Sequence, residues 1–177
     1  MDKRKILLKI LFLVIPGLFF AINVYSQIGT SVSFSTDKAL GLNVFYSKNE
    51  NSFYFGFSQQ FNGQKNTVVK ERKKTYGTTP IGDGNYYWLL DFGYSRTLVD
   101  KIIIQPEISV GGKNFFTNYS DKRFKDNGYS LIDNSEAIAG IGLNLGYKIN
   151  DLIEPYCGYH TIKKITFGIR IHFRSLL

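Results

Sequence analysis

From residue 28 onward the chain alternates apolar and polar side chains with a period of two, and no stretch of helical length shows the 3.6-residue period. The alternation predicts eight strands, at 28–34, 39–47, 52–61, 86–98, 102–116, 135–149, 152–161 and 165–173. In the last of these, Ile165, Phe167, Ile169, Ile171 and Phe173 share one face, and Thr166, Gly168, Arg170 and His172 share the other. Phe53, Phe55 and Phe57 alternate with Tyr54, Gly56 and Ser58 in the same way, and Tyr86, Trp88, Leu90, Phe92 and Tyr94 alternate with Asp91, Gly93 and Ser95. Strands of about ten residues tilted by about 40° cover roughly 25 Å of apolar height. Strands in soluble sheets average only about five or six residues.

The connections alternate too. Asp100-Lys101 and Asn150-Asp151 are tight turns, whereas 62–85 and 117–134 are long. In an up-and-down meander every second connection faces the same side, so the long loops fall at one end and the tight turns at the other. The expectation is an all-β fold: a closed antiparallel eight-stranded up-and-down transmembrane β-barrel, with its long loops outside the cell and its tight turns in the periplasm.

Which face points inward follows from side-chain size. Ala137, Ala139, Ile141, Leu143, Leu145 and Tyr147 oppose Gly140, Gly142, Asn144, Gly146 and Lys148. Glycine serves little purpose on a solvent face, but small residues fit the narrow interior of an eight-stranded barrel. A soluble lipocalin-like barrel would need the opposite arrangement, with the apolar face inward. Trp88 and its neighbouring tyrosines lie close to a long loop, where an interfacial aromatic belt is expected. Four residues resist the scheme. Pro106 and Pro155 lie inside strands and predict a bulge at one of them, while Phe45 on a polar face and Asn114 on an apolar face suggest a slipped register.

The N-terminus carries an export leader by its pattern: Lys3, Arg4 and Lys5, an apolar run through 10–24, and Val24-Tyr25-Ser26 as the cleavage site. That run is broken by Pro16-Gly17 and is shorter than the roughly twenty residues a spanning helix needs. Residues 1–26 are therefore read as a signal peptide and 27–177 as one barrel domain. Part of the formal charge of +8 belongs to the leader. The single cysteine, Cys157, excludes an internal disulfide and any CxxC-type zinc site.

At the other end, Thr166, Gly168, Ile171 and Phe173 spell polar-x-Gly-x-x-apolar-x-aromatic. This resembles the C-terminal signal by which bacterial outer-membrane barrels are inserted, with Arg174 to Leu177 as a short departure. With the leader and the strand pattern, residues 28–173 resemble the small eight-stranded outer-membrane barrels, the class of the OmpA transmembrane domain and OmpX. The resemblance implies the outer membrane of a Gram-negative bacterium, passage through the barrel-assembly machinery, and roles in envelope stability, adhesion or secretion. No peptidoglycan-binding domain is expected beside the barrel.

The inward face collects Asp91, Glu107, Lys113, Lys148, Glu154, Arg170 and His172. Turn geometry sets Lys148 across from Glu154, Glu154 across from Arg170, and Asp91 across from Glu107. The last is a like-charge pair needing Arg170 or Lys113 beside it. The plainer reading of this cluster is a charged filling that fixes the interior rather than an ion path, because eight strands leave no porin-width channel.

Some barrels of this size modify lipid A, so a nucleophile beside a histidine has to be sought. His160 is the one weak candidate, but it is followed by Thr161 and Ile162 and lacks the His-x-Ser arrangement of the lipid A deacylase barrels. Gly111-Gly112-Lys113 and Gly82-Asp83-Gly84 lack phosphate-loop spacing. The reading is non-enzymatic, and no cofactor, metal or nucleic acid is implied.

More informative is the loop 62–85, where Lys65, Lys70, Arg72, Lys73 and Lys74 outnumber Glu71 and Asp83. Such a loop suits phosphate groups of lipopolysaccharide or another acidic envelope polymer, through an attraction that salt would screen. The loop 117–134 balances its charges but carries Tyr119, Phe124 and Tyr129, which suggest a contact surface without naming its partner; the two loops together are expected to bind envelope polymers or a protein partner. The alternatives are a lipid A-modifying enzyme built on His160 and an accessory subunit of an export system.

Overall fold

Alternating β-branched and aromatic residues favour extended backbone, and a sheet with two unlike faces closes when both of its edges find partners. The computed structural model describes residues 27–64 and 67–173. Residues 1–26, where the export leader is expected, Lys65, Asn66 and the last four residues lie outside them.

The strands are β1 (Gln27–Ser35), β2 (Ala39–Lys48), β3 (Asn51–Gln60), a short β4 (Val68–Val69), β5 (Thr79–Val99), β6 (Ile102–Ser120), β7 (Gly128–Tyr147), β8 (Ile153–His160) and β9 (Lys164–Phe173). Apart from β4, each pairs antiparallel with its chain neighbours; β9 pairs with β1 and β7 with β8, so eight strands form a closed ring. β4 lies parallel against β7.

The apolar face points outward. Phe34, Phe53, Ile108, Ile141 and Phe167 are 54–64% exposed on the outer surface, as are Ile165, Ile169, Ile171 and Phe173 at 40–52%. Arg170, Asp91, Glu154 and Glu107 are 0–6% exposed inside. This is the surface of a membrane-spanning barrel and the reverse of a soluble one.

Glycines on the inner face make room for rings. Phe45, Tyr54, Tyr156 and His160 lie directly across a strand pair from Gly29, Gly93, Gly168 and Gly142. A Cβ at any of these glycines would overlap the opposite ring. Phe45 is thus an interior residue in correct register, 1% exposed, and not a sign of slippage. Asn114 sits beside the real irregularity, a register shift at Phe115/Phe116, where it accepts a hydrogen bond from the Ser135 hydroxyl at 2.6 Å.

Pro106 and Pro155 carry no bulge. The β5–β6 ladder passes from Gly93↔Glu107 to Arg96↔Ile104, leaving Pro106 in a gap on one side while it pairs with Leu143 on the other. Pro155 likewise pairs with Ile169 but lies just beyond the last β7–β8 pair, Gly146↔Tyr156. Each missing N–H falls where one ladder is interrupted, so the barrel closes without extra residues. The bulges are at Pro80/Gly82, Thr97/Val99 and Phe115/Phe116.

The wall is uneven in height. β8 ends at His160, level with Gly142 of β7, and β3 reaches only to Gln59↔Trp88, whereas β5, β6 and β7 continue. Their extension runs about nine residues past Trp88, roughly 30 Å. The segments 79–85, 117–120 and 128–134, expected as loop, are strands of this extension. Gly82, Asp83 and Gly84 read as turn signals by themselves, but pairing with Asn118, Thr117 and Phe116 holds them extended.

Candidate functional site

Two parts of the molecule gather chemistry, the lumen and the tip of the extension. The lumen is built as a column. Near its outer end the turn between β8 and β9 folds inward and sends two side chains in opposite roles. Ile162, like Ile138 of the wall, packs against the buried cluster of Ala39, Tyr87 and Leu89 as an apolar lid. Lys163, 4% exposed, reaches down to Asp91 Oδ2 at 3.1 Å and forms a close ion pair with Glu107.

Asp91 also accepts hydrogen bonds from the hydroxyls of Ser58 and of Ser109, the latter at 2.5 Å, and Glu107 accepts one from Tyr54 at 2.9 Å. Below Tyr54, Arg170 is caged by the rings of Tyr54, Phe45 and Tyr156, with its guanidinium carbon 5.0, 5.2 and 5.9 Å from their centres. It donates to Ser95 at 2.8 Å and pairs with Glu154 at 3.4 Å. Glu154 is further held by Gln105 at 2.7 Å and His172 at 3.2 Å, and the His172 ring meets the edge of Phe45.

Five of the seven residues expected on the inward face, Asp91, Glu107, Glu154, Arg170 and His172, stand in this column. Lys113 and Lys148 do not. Lys113 lies above the low rim, 4.9 Å over the Phe115 ring and across from Glu136. Lys148 turns to Asp151 at 3.0 Å in the turn below. Asp91 is opposite Ser109 and Glu107 opposite Gly93, because the hairpin is centred on Asp100 and each partner lies two residues from the expected one.

The cation between the two acids is Lys163, which sequence reasoning passed over as a turn residue. Its signal was the pair Lys163-Lys164, adjacent residues that must face opposite ways: Lys164 is exposed, with φ of 65°. His160 has a structural occupation. Its Nδ1 accepts the backbone N–H groups of Ile162 and Lys163 at 3.1 and 3.2 Å, which caps the turn that delivers Lys163. Its Nε2 is 3.8 Å from Glu107. Thr161 faces the outside of the barrel, where its hydroxyl accepts the Ile141 N–H at 3.1 Å, so it and His160 lie on opposite faces of the wall.

Thr166, Gly168, Ile171 and Phe173 divide by alternation. Thr166 donates to Asn144 inside at 2.8 Å and Gly168 lies under Tyr156, whereas Ile171 and Phe173 are exposed on the outer face. Among the described residues no group of three or more His, Cys, Asp or Glu could hold a metal.

At the tip, the two long connections are tied to each other. Tyr129, fully buried, stacks on Tyr119 at 5.3 Å and meets Tyr76 and Phe124 at 5.4 and 5.0 Å. Its hydroxyl donates to the Gly77 carbonyl at 2.8 Å. Asp121 accepts the Gly77 N–H at 2.8 Å and the Arg123 side chain at 2.6 and 2.9 Å, and Arg123 also bonds the Thr75 carbonyl. These bonds, those from Arg123 foremost, hold the Asp121 carboxyl well below the usual carboxylate range.

Arg72 lies 5.9 Å over Tyr119. Lys70, Arg72, Lys73 and Lys74 are exposed beside this cluster, as are Lys122 and Lys125. Lys65 falls outside the described residues. The tip is therefore an aromatic knot with basic side chains on its surface. The links between its two connections could not be read from either loop alone.

No protein-family model matches the chain, and no curated protein matches it. Among solved structures it is similar to Ail, the attachment invasion locus protein of Yersinia pestis, crystallised in complex with the heparin analogue sucrose octasulfate. The identity is 13% and the TM-score 0.49, over 84% of this chain and 96% of that one. It is also similar to Neisserial surface protein A, at 9% identity and a TM-score of 0.43 over 84% and 96% of the two chains. A de novo designed transmembrane β-barrel gives 13%, 0.37, 86% and 98%. These are likenesses of chain path, and the site is read from this chain's own residues.

Proposed function

We propose that the protein is a non-enzymatic barrel of the Gram-negative outer membrane, exported by a cleaved leader, that holds a basic aromatic tip above the membrane to bind acidic envelope polymers. The observation that carries this reading is the joining of 62–85 to 117–134 through Tyr129, Asp121 and Arg123 at the end of a raised sheet. A loop that only kept polar backbone out of lipid would not need a buried aromatic knot. The knot fixes the exposed Lys70, Arg72, Lys73 and Lys74 on one support, which lowers the ordering cost when they meet an array of phosphates or sulfates.

The lumen supports a non-catalytic reading because its charges are paired and its one histidine beside a hydroxyl residue is engaged in capping a turn. Replacing His160 with Asn should leave the lipid A mass spectrum of the host unchanged; an altered lipid A would make the barrel an enzyme.

The test of the tip is binding of proteoliposomes to immobilised lipopolysaccharide at low and high salt. The wild type should bind in a salt-sensitive manner, and a variant with Lys70, Arg72, Lys73 and Lys74 changed to Gln should not. Binding that survives the change removes the tip from this role. A stoichiometric protein that copurifies through the tip would assign it to a protein partner or export system instead.

A further inference from the structure

The outer wall carries a groove of about 460 Å³ at its short-turn end, lined by Tyr46, Lys48, Asn49, Asn51, Phe53 and Tyr94. Its position follows from register. Tyr46, Phe53 and Tyr94 are directly paired across β2, β3 and β5 and form one row on the outer face. The next row toward the membrane centre is Val44, Phe55 and Phe92, and beyond it Leu42, Phe57 and Leu90. The row on the other side, at the rim, is Lys48, Asn51 and Arg96, again in direct register.

Three strands thus present an apolar and aromatic track leading up from two exposed cations, with one amide between them. The amide is held in place because its Oδ1 accepts the Tyr94 hydroxyl at 2.5 Å, leaving its NH₂ available as a donor. The Phe53 and Tyr94 rings stand 5.2 Å apart, tilted at 51°, and leave a trough rather than a flat surface.

We infer that this groove is a binding site for one anionic glycerophospholipid of the leaflet at the short-turn end, the periplasmic leaflet in the orientation proposed above. The phosphate sits between Lys48 and Arg96 and accepts from Asn51, and an acyl chain lies along Phe53, Phe55 and Phe92. Charge complementarity selects the occupant. A zwitterionic lipid would bring its own ammonium against Lys48 and Arg96, and a second copy of this chain would set its own two cations against them. The site rests on the membrane-spanning reading and is independent of what the tip binds.

The test is native mass spectrometry of the full protein ejected from nanodiscs of equal parts dioleoylphosphatidylglycerol and dioleoylphosphatidylcholine. The wild type should leave with a single phosphatidylglycerol adduct in clear excess over phosphatidylcholine. Lys48→Gln with Arg96→Gln should lower that excess about tenfold or more, given the usual effect of each basic group near an anionic surface.

Lys101→Gln should not lower it, since Lys101 lies at the same rim against Tyr147, outside the groove. Asn51→Asp, which sets a carboxylate between two intact cations, should abolish the preference by a second route. Boiled and unboiled electrophoretic mobility confirms folding of each variant. Equal retention of both lipids by the wild type, the same preference in the double variant, or an equal loss in Lys101→Gln overturns the site. A dimer that disappears in the double variant would make the groove a self-interface and also overturns it. A chain that never enters the bilayer overturns the membrane reading, and this site with it.

Discussion

The lumen and the tip use the same side chains under opposite conditions. In the lumen, Lys163 and Arg170 are 4% and 2% exposed, and each is fixed by acids, hydroxyls or rings on several strands. At the tip, Arg72, Lys73 and Lys74 are exposed, and the order beneath them comes from the uncharged Tyr129 together with the Asp121–Arg123 clasp. Charge therefore specifies packing inside the barrel and supplies a surface outside it. A buried ion pair is costly to break because the remaining partner cannot return to water, whereas a solvated one contributes little. Each variant below tests where that boundary runs.

The largest effect is expected where one cation serves two acids. Lys163→Met leaves Asp91 and Glu107 facing each other without compensation and should cost about 3–5 kcal/mol. Lys164→Met, one residue away but exposed, should stay within about 0.5 kcal/mol. Heat-dependent electrophoretic mobility in detergent compares the two, and equal midpoints would end the contrast between lumen and surface. Arg170→Gln comes next, at about 3 kcal/mol, because Gln105 and His172 still serve Glu154 when the guanidinium is gone. Its conductance in planar bilayers should stay near background, since Tyr54, Tyr156 and Phe45 still fill the section; a large steady current would mean that Arg170 was the barrier.

How far this contrast could be read from the chain depends on the range of the interaction. Alternation is local, so the strands, the inward position of Arg170 and its opposition to Glu154 were all visible in the residues. The role of Lys163 was not, because a period-two pattern stops at a turn and gives no direction to the residue after it. The pairing of Asp91 and Glu107 was misjudged by two residues because moving the centre of a hairpin by one residue, here to Asp100, moves every partner by two. Gly82-Asp83-Gly84 looked like a turn because their extended state is imposed by β6 rather than by their own preferences. Tyr119, Phe124 and Tyr129 were recognised as a surface, but the knot depends on Gly77 and Tyr76 in the other connection.

Steric fit should matter less than lost charge. Gly93→Ala places a methyl group against Tyr54, whose hydroxyl also holds Glu107, so the ring cannot move away freely. Overpacking of this kind costs about 1–3 kcal/mol. Tyr54→Phe combined with Gly93→Ala should be less than additive, because the ring freed from Glu107 can shift; strict additivity by thermal midpoint would show that the ring was never pinned.

The smallest effect concerns the tip and should appear in pH rather than in global stability. Asp121 is held below its ordinary value by Arg123 and by the Gly77 N–H. A carboxyl depressed in the folded state contributes its full stabilisation above its unfolded pKa of about 3.9, and loses it as the pH falls through the lower folded value. The link between the two connections should therefore be unchanged from neutral pH down to about 4 and open only in stronger acid. Hydrogen exchange at the Gly77 and Arg123 backbone amides, which donate to Asp121 at 2.8 and 3.1 Å, measures this while Trp88 fluorescence reports the wall. Asp121→Asn should make exchange at both amides faster and independent of pH across the acid range, after correction for intrinsic rates. If the wild type opens between neutral pH and the ordinary aspartate range, Asp121 is not the clasp, and the aromatic stack alone joins the loops.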